Sequence, residues 1–181
     1  MNTATQNLEN DHVSILRLCD VILALVEKQS SDVSHFESVI QLIRNFADGT
    51  HHAKEEDFLF PLLAEKGLSA EHGPVAVMLH EHEQGRHFVK EAAKSIEDYK
   101  SGNSDALQNI YNNLSDYAFL LQGHIDKENN ILFRMADQAF SEVEQQNLLS
   151  EFATIENNIE AELAPDKAIE TINMLVTEFL G

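Results

Sequence analysis

A single cysteine, Cys19, no tryptophan, three prolines and seven glycines stand in a chain of 181 residues. One thiol cannot form an intrachain disulfide, which excludes a disulfide-stapled scaffold and fits a reducing compartment. So little Gly and Pro argues against a turn-rich all-β chain. Basic residues are scarce as well: 12 Lys plus Arg face 31 Asp plus Glu, a formal charge of −19. That charge repels phosphate backbones and anionic membrane surfaces, so no nucleic acid and no membrane partner is expected. No window approaches the roughly 18–20 apolar residues of a membrane span, and residues 1–10 carry neither a basic nor an apolar leader region, so a cytoplasmic location is expected. The 43 % apolar content is enough for the core of one ordinary domain.

The apolar residues fall into helical seams. Leu8, His12, Ile15, Cys19, Ile22 and Val26 predict a first helix from about Asn10 to Lys28. Ser34 and Glu37 have capping-box spacing for a second helix, with a seam of Phe36, Ile40, Ile43, Ala47, His51, Glu55, Phe58 and Leu62, and Pro61 loosening its last turn. Glu71-His72-Gly73-Pro74 breaks the chain before a third seam of Val75, Met78, His82, Gly85, Val89, Ala92, Ile96 and Tyr99. After Ser104 a fourth runs through Leu107, Ile110, Leu114, Tyr117, Leu121, His124, Glu128, Ile131 and Met135. The fold expected is all-α: an up-down-up-down four-helix bundle over residues 1–140. A C-terminal helical extension over 141–181, restarted by the Ser141/Glu144 capping box and by Pro165, either packs on the bundle or joins two copies as a homodimer.

One motif occurs twice, as His51-His52-Ala53-Lys54-Glu55 and as His124-Ile125-Asp126-Lys127-Glu128. Helical residues four apart share a face, so each copy makes an imidazole and a carboxylate converge. With His12 and His82, four histidines and two glutamates lie on four apolar seams. Burying them unpartnered would cost roughly 1–3 kcal/mol for each neutral group and more for each carboxylate, which metal coordination relieves. The expected metal ligands are therefore His12, His51, Glu55, His82, His124 and Glu128. Mixed imidazole and carboxylate donors without thiolate suit iron, manganese or zinc, and two glutamates from antiparallel helices can bridge two ions. His52 with Glu56 forms a parallel pair about 100° round the helix and reads as the neighbouring stripe. His35, His72, His80 and His87 read as surface residues. Glu81, Glu83 and Arg86 surround His82 as outer partners, and Tyr117 brings a phenol to the same seam.

A His on helix one, His-x-x-x-Glu-Glu on helix two, a His on helix three and His-x-x-x-Glu on helix four resemble the hemerythrin-like, or HHE cation-binding, domain over about residues 8–137. The resemblance implies a four-helix bundle holding two Fe ions in an oxo- or hydroxo-bridged centre, with His12, His51, His82 and His124 as terminal ligands and Glu55 and Glu128 as bridges. Oxygen carriers of the family place two histidines four apart on helix three, whereas Met78 and Arg86 stand four residues from His82 here. The chain is therefore similar to the bacterial hemerythrin-like branch, and a fifth histidine has to come from elsewhere. The function expected is a non-haem di-iron protein that binds or reacts with a small diatomic or peroxide ligand (O2, peroxide or NO) in sensing, detoxification or iron-centre repair, with di-iron oxidoreductase turnover as one form of it. The alternative is an iron-holding or structural-metal interaction module without turnover.

Overall fold

The computed structural model describes residues 2–181, and all of their side chains except that of Glu162. Six helices follow in order: α1 (Ala4–Glu27), α2 (residues 33–65), α3 (Pro74–Lys100), α4 (residues 106–139), α5 (Glu142–Asn157) and α6 (Pro165–Leu180). No strand occurs among the described residues. The local signals act largely where expected. Gly73, at φ 84°, precedes Pro74 at the start of α3, a backbone that glycine alone adopts without strain. Ser141 and Glu144 close a reciprocal capping box on α5, and Pro165 opens α6. Two starts differ: Thr3 caps α1, so that helix begins six residues before the expected Asn10, and Asp32, not Ser34, caps α2 by accepting from the Ser34 amide.

Helices α1 to α4 form the bundle, with α3 against α4, α1 against α4 and α2 against α3. Its interior is two apolar clusters with a polar layer between them. One cluster holds Phe36, Phe46, Ile22, Leu25 and Leu114, and is extended by Ala168, Ile172 and Leu175 of α6. The other gathers Leu8, Leu59, Phe60, Met78 and Phe133, and is closed by Leu148 and Phe152 of α5. Each such buried side chain contributes about 1.5–3 kcal/mol. The layer between them carries His12, His51, His52, Glu55, His82, His124 and Glu128, each of which is buried.

Both helices that carry the doubled motif depart from α-geometry at that layer. In α2, residues Ile43–His52 and Glu55–Leu59 are π-helical, and in α4 so are Glu128–Leu132. A π turn bonds i to i+5 and so holds one residue more than an α turn. The seam beyond it therefore advances by one position. Leu59 and Leu63 are buried where Phe58 and Leu62 were expected. In α4, Leu132 and Ala136 are buried, while Ile131 is 52 % and Met135 36 % exposed. Ile131 thus faces solvent and leaves the interior seam on which its spacing placed it. Locally, the Thr50 hydroxyl donates to the Asn45 carbonyl at 2.8 Å, and a Cβ at Gly49 would collide with the Arg44 carbonyl oxygen at 2.9 Å.

Candidate metal centre

The extra residue in α2 turns His51 and His52 both inward. Two groups of donor atoms result, each drawn together within 4.8 Å: His12, His51, Glu55 and Glu128, and His52, Glu55, His82 and His124. Glu55 belongs to both groups. Glu128 Oε2 likewise stands 3.3 Å from Nε2 of His12 and 3.3 Å from Nε2 of His124. All six residues expected from the seams meet here, and His52 joins them as a fifth imidazole, stacked on His82 at 3.8 Å between centroids. The arithmetic of a regular α-helix had placed His52 on a separate stripe. Its partner in that reading, Glu56, points outward and binds the far nitrogen of His82. The fifth imidazole, which had to come from outside the third helix, stands at His52 in this geometry.

Each imidazole is held from outside. His12 Nδ1 lies 2.7 Å from Asn129 Oδ1, His82 Nδ1 2.6 Å from Glu56, His124 Nδ1 2.9 Å from Glu81, His52 Nδ1 3.2 Å from Asp48 and His51 Nδ1 3.4 Å from Asp11. These oxygens are acceptors, so each Nδ1 carries the proton and each Nε2 turns a lone pair inward. Yet His12 Nε2 faces His51 Nε2 at 2.9 Å, and His82 Nε2 faces His124 Nε2 at 3.1 Å. Two lone pairs at that distance repel, so each facing pair calls for a metal ion between the rings or a second proton on one of them.

The carboxylates carry the same message. Neither oxygen of Glu55 or Glu128, nor Nε2 of His52, has a hydrogen-bond partner among the described residues. Their nearest imidazole nitrogens stand 3.3–3.6 Å away, longer than the roughly 2.7–2.9 Å of a charge-assisted hydrogen bond. Donors each about 2.1 Å from a shared ion sit at such separations. The donor set thus fits two metal ions, each held by imidazole nitrogen and carboxylate oxygen.

Electrostatics follow from burial. Loss of water, and then the charge of His12, brings His51 down to about 4, and burial also lowers His52, so both stay neutral and able to donate a lone pair. Burial opposes a charge on His124, but the Glu128 carboxylate outweighs it and raises that imidazole to about 9. Burial, and then the neighbouring Glu128, pushes the Glu55 carboxyl upward. Two carboxylates in one dry layer thus compete for positive charge, protons or metal.

The lysine of the doubled motif has one role in both copies. Lys54 is fully buried and reaches Asp11 at 2.8 Å, Glu156 of α5 at 2.6 Å and Asn7 at 3.0 Å. Lys127 pairs with Glu81. In each case the ammonium neutralises the carboxylate that holds an imidazole of the centre, His51 through Asp11 and His124 through Glu81. Sequence spacing does not reveal these partners, which lie on α1, α3 and α5. Lys54→Met should lower the stability of the metal-free protein by about 2–3 kcal/mol, because Asp11 and Glu156 are left uncompensated. Lys127→Met, at a half-exposed pair, should cost less than about 1 kcal/mol. Urea midpoints check both, and equal losses would contradict the assignment.

The remaining histidines stand apart. His72, His80 and His87 are exposed. His35, expected at the surface, is half-buried, with Glu178 at 3.3 Å and its ring edge-on to Phe179 of α6. Arg86 is not a ligand for the layer but binds Asp48 and Glu56, tying together the carboxylates behind His52 and His82.

An all-α bundle with a buried five-histidine, two-carboxylate layer defines the class: a helical protein with a buried cluster of residues that could hold metal. Residues 3–136 match the family described as the Hemerythrin HHE cation binding domain, and the chain belongs to that family. It is similar to the iron-sulfur cluster repair protein YtfE of Enterobacter sp. (strain 638), 33 % identical over 90 residues, which are 48 % of this chain and 40 % of that protein. The YtfE proteins of Musicola paradisiaca (strain Ech703) and Edwardsiella ictaluri (strain 93-146) are 36 % identical over 90 residues and 34 % over 91, with the same shares covered. The match thus spans less than half the length of these curated relatives. No solved structure matches the chain. Membership of the family implies iron binding, and no described helix is long and apolar enough to cross a membrane.

Proposed function

We propose that this protein holds two iron ions and uses them to bind or react with a small ligand such as dioxygen, peroxide or nitric oxide. His12 and His51 would hold one ion and His52, His82 and His124 the other, with the Glu55 and Glu128 carboxylates supplying negative charge to the layer. The observation that carries this reading is the set of outward-anchored Nδ1 atoms, which leaves facing Nε2 lone pairs beside two carboxylates without partners. Two irons there would supply a two-electron redox couple and a place for an exogenous ligand. The chain's own residues do the rest. The Asp11, Asp48, Glu56, Glu81 and Asn129 oxygens fix ring orientation and keep each Nδ1 protonated, and the two apolar clusters keep bulk water from the carboxylates. Of the roles of sensing, detoxification and iron-centre repair, the third agrees with the name borne by the YtfE relatives.

Metal analysis of protein expressed with ample iron should give two irons per chain. Optical spectra of the anaerobically reduced protein should change on adding air, peroxide or nitric oxide. At most one metal, or zinc alone under iron-replete expression, would sink the di-iron reading.

A further inference from the structure

Helix α5 lies beyond residues 3–136, the stretch that matches the family, yet it reaches one side of the buried layer. Its N-terminal half is anchored away from that layer: Gln145 Oε1 accepts from the Ala4 amide at 2.8 Å, and Glu144 pairs with Lys66 at 2.6 Å. Its C-terminal half closes on a buried cation. The Phe152 ring faces the Lys54 ammonium, with Nζ 5.7 Å from the ring centroid, and Glu156 Oε1 meets the same Nζ at 2.6 Å. Lys54 also donates to Asp11 Oδ2 at 2.8 Å, the oxygen that stands 3.4 Å from His51 Nδ1. A chain of contacts thus runs from α5 through Lys54 and Asp11 to His51. The other four imidazoles are anchored within the bundle, on Asn129, Asp48, Glu56 and Glu81.

We propose that α5 is a latch on the His12 and His51 side of the layer, with Glu156 as a positioning residue that acts on His51 through Lys54 and Asp11. The proposal rests on the metal reading above. With α5 docked, Lys54 is fully buried, and a buried ammonium is held to its carboxylates because leaving either of them is strongly unfavourable. Asp11 is thereby fixed, and with it the His51 ring. When the end of α5 lifts, water reaches the ammonium, its pair with Asp11 becomes an exposed one worth little, and His51 loses its anchor. A metal ion on Nε2 of His51 requires that ring in one orientation, so it favours the docked helix. Such coupling is reciprocal: α5 strengthens metal binding at His51 by the factor by which the ion strengthens docking. Helix α6 has no such link, since Ala168, Ile172 and Leu175 join the other apolar cluster.

The test uses the full-length protein, iron-loaded and chelator-treated, with amide hydrogen exchange followed helix by helix. Removing iron should speed exchange across residues 150–157 by about fivefold or more beyond any change in α6. Glu156→Gln keeps the shape of the side chain and removes its charge. It should weaken one of the two irons about fivefold against a competing chelator, and make exchange in α5 indifferent to iron. A merely structural Glu156 would speed exchange equally with and without iron and leave both affinities alone, which would overturn the proposal. Phe152→Leu loosens the same end of α5 through a different contact and should weaken the same iron. In His51→Ala, which keeps the other iron, Glu156→Gln should have no further effect on iron affinity, and an undiminished effect there would also count against the chain of contacts. Equal changes in α5 and α6 on iron removal from the wild type would overturn the latch while the iron centre stands. Wild-type protein that binds no iron would overturn the underlying centre instead.

Discussion

Glu55→Ala protein, expressed with ample iron, is expected to retain close to none of it, a larger loss than any single histidine substitution should give. Glu55 contributes to both donor groups, and its two oxygens lie 3.6 Å from His51 Nε2 and 3.4 Å from His82 Nε2. Removing it leaves each ion short of a donor and the layer short of a negative charge. His51→Ala and His52→Ala should each lose one iron, since they serve different groups. Glu56→Ala should keep two irons and bind the second less tightly, because Glu56 only orients His82; such outer partners are typically worth about 10–100-fold in metal affinity. Metal analysis after gel filtration decides the case. One full iron in Glu55→Ala would mean that the carboxylate is not shared, and two irons in His52→Ala would return the centre to six ligands.

The bundle was legible because its signals are local and periodic. His12, Ile15, Cys19 and Ile22 recur at helical spacing, and polar residues recur on the same seam only where a centre requires them. The six residues His12, His51, Glu55, His82, His124 and Glu128 could be named for that reason. His52 could not, because the reading assumed about 100° per residue throughout, and the π turns of α2 add a residue where the two histidines lie. The same assumption misplaced Phe58 and Ile131, one residue out of phase on two different helices. One signal does point to His52: Leu59 and Leu63 extend its stripe, while Leu132 follows Ile131. When two adjacent stripes both carry an imidazole above an apolar run, one extra residue between them merges the imidazoles and selects the second run. The charge partners were out of reach for a different reason. Asp11 for Lys54 and Glu81 for Lys127 are chosen by helix packing, which periodicity does not specify.

Stripping the metal should lower the melting temperature by roughly ten degrees or more, and the reason lies in what the empty layer must hold. Without a metal ion, His12 and His51 must share a proton between Nε2 atoms 2.9 Å apart, and among the described residues four carboxylate oxygens are buried without a hydrogen-bond partner. A ligand that binds only the native state stabilises it by about 4 kcal/mol at a thousand times its dissociation constant. In a domain of this size each kcal/mol moves the midpoint by roughly 2–4 °C, and two sites act together. Acid should promote the same loss, since protonated imidazoles cannot donate a lone pair and metal binding releases protons. Calorimetry of matched iron-loaded and chelator-treated samples at pH 7 measures the difference directly. Superimposable transitions would mean that protons and hydrogen bonds already satisfy the layer, in which case the buried histidines and glutamates are a polar core and not a metal centre.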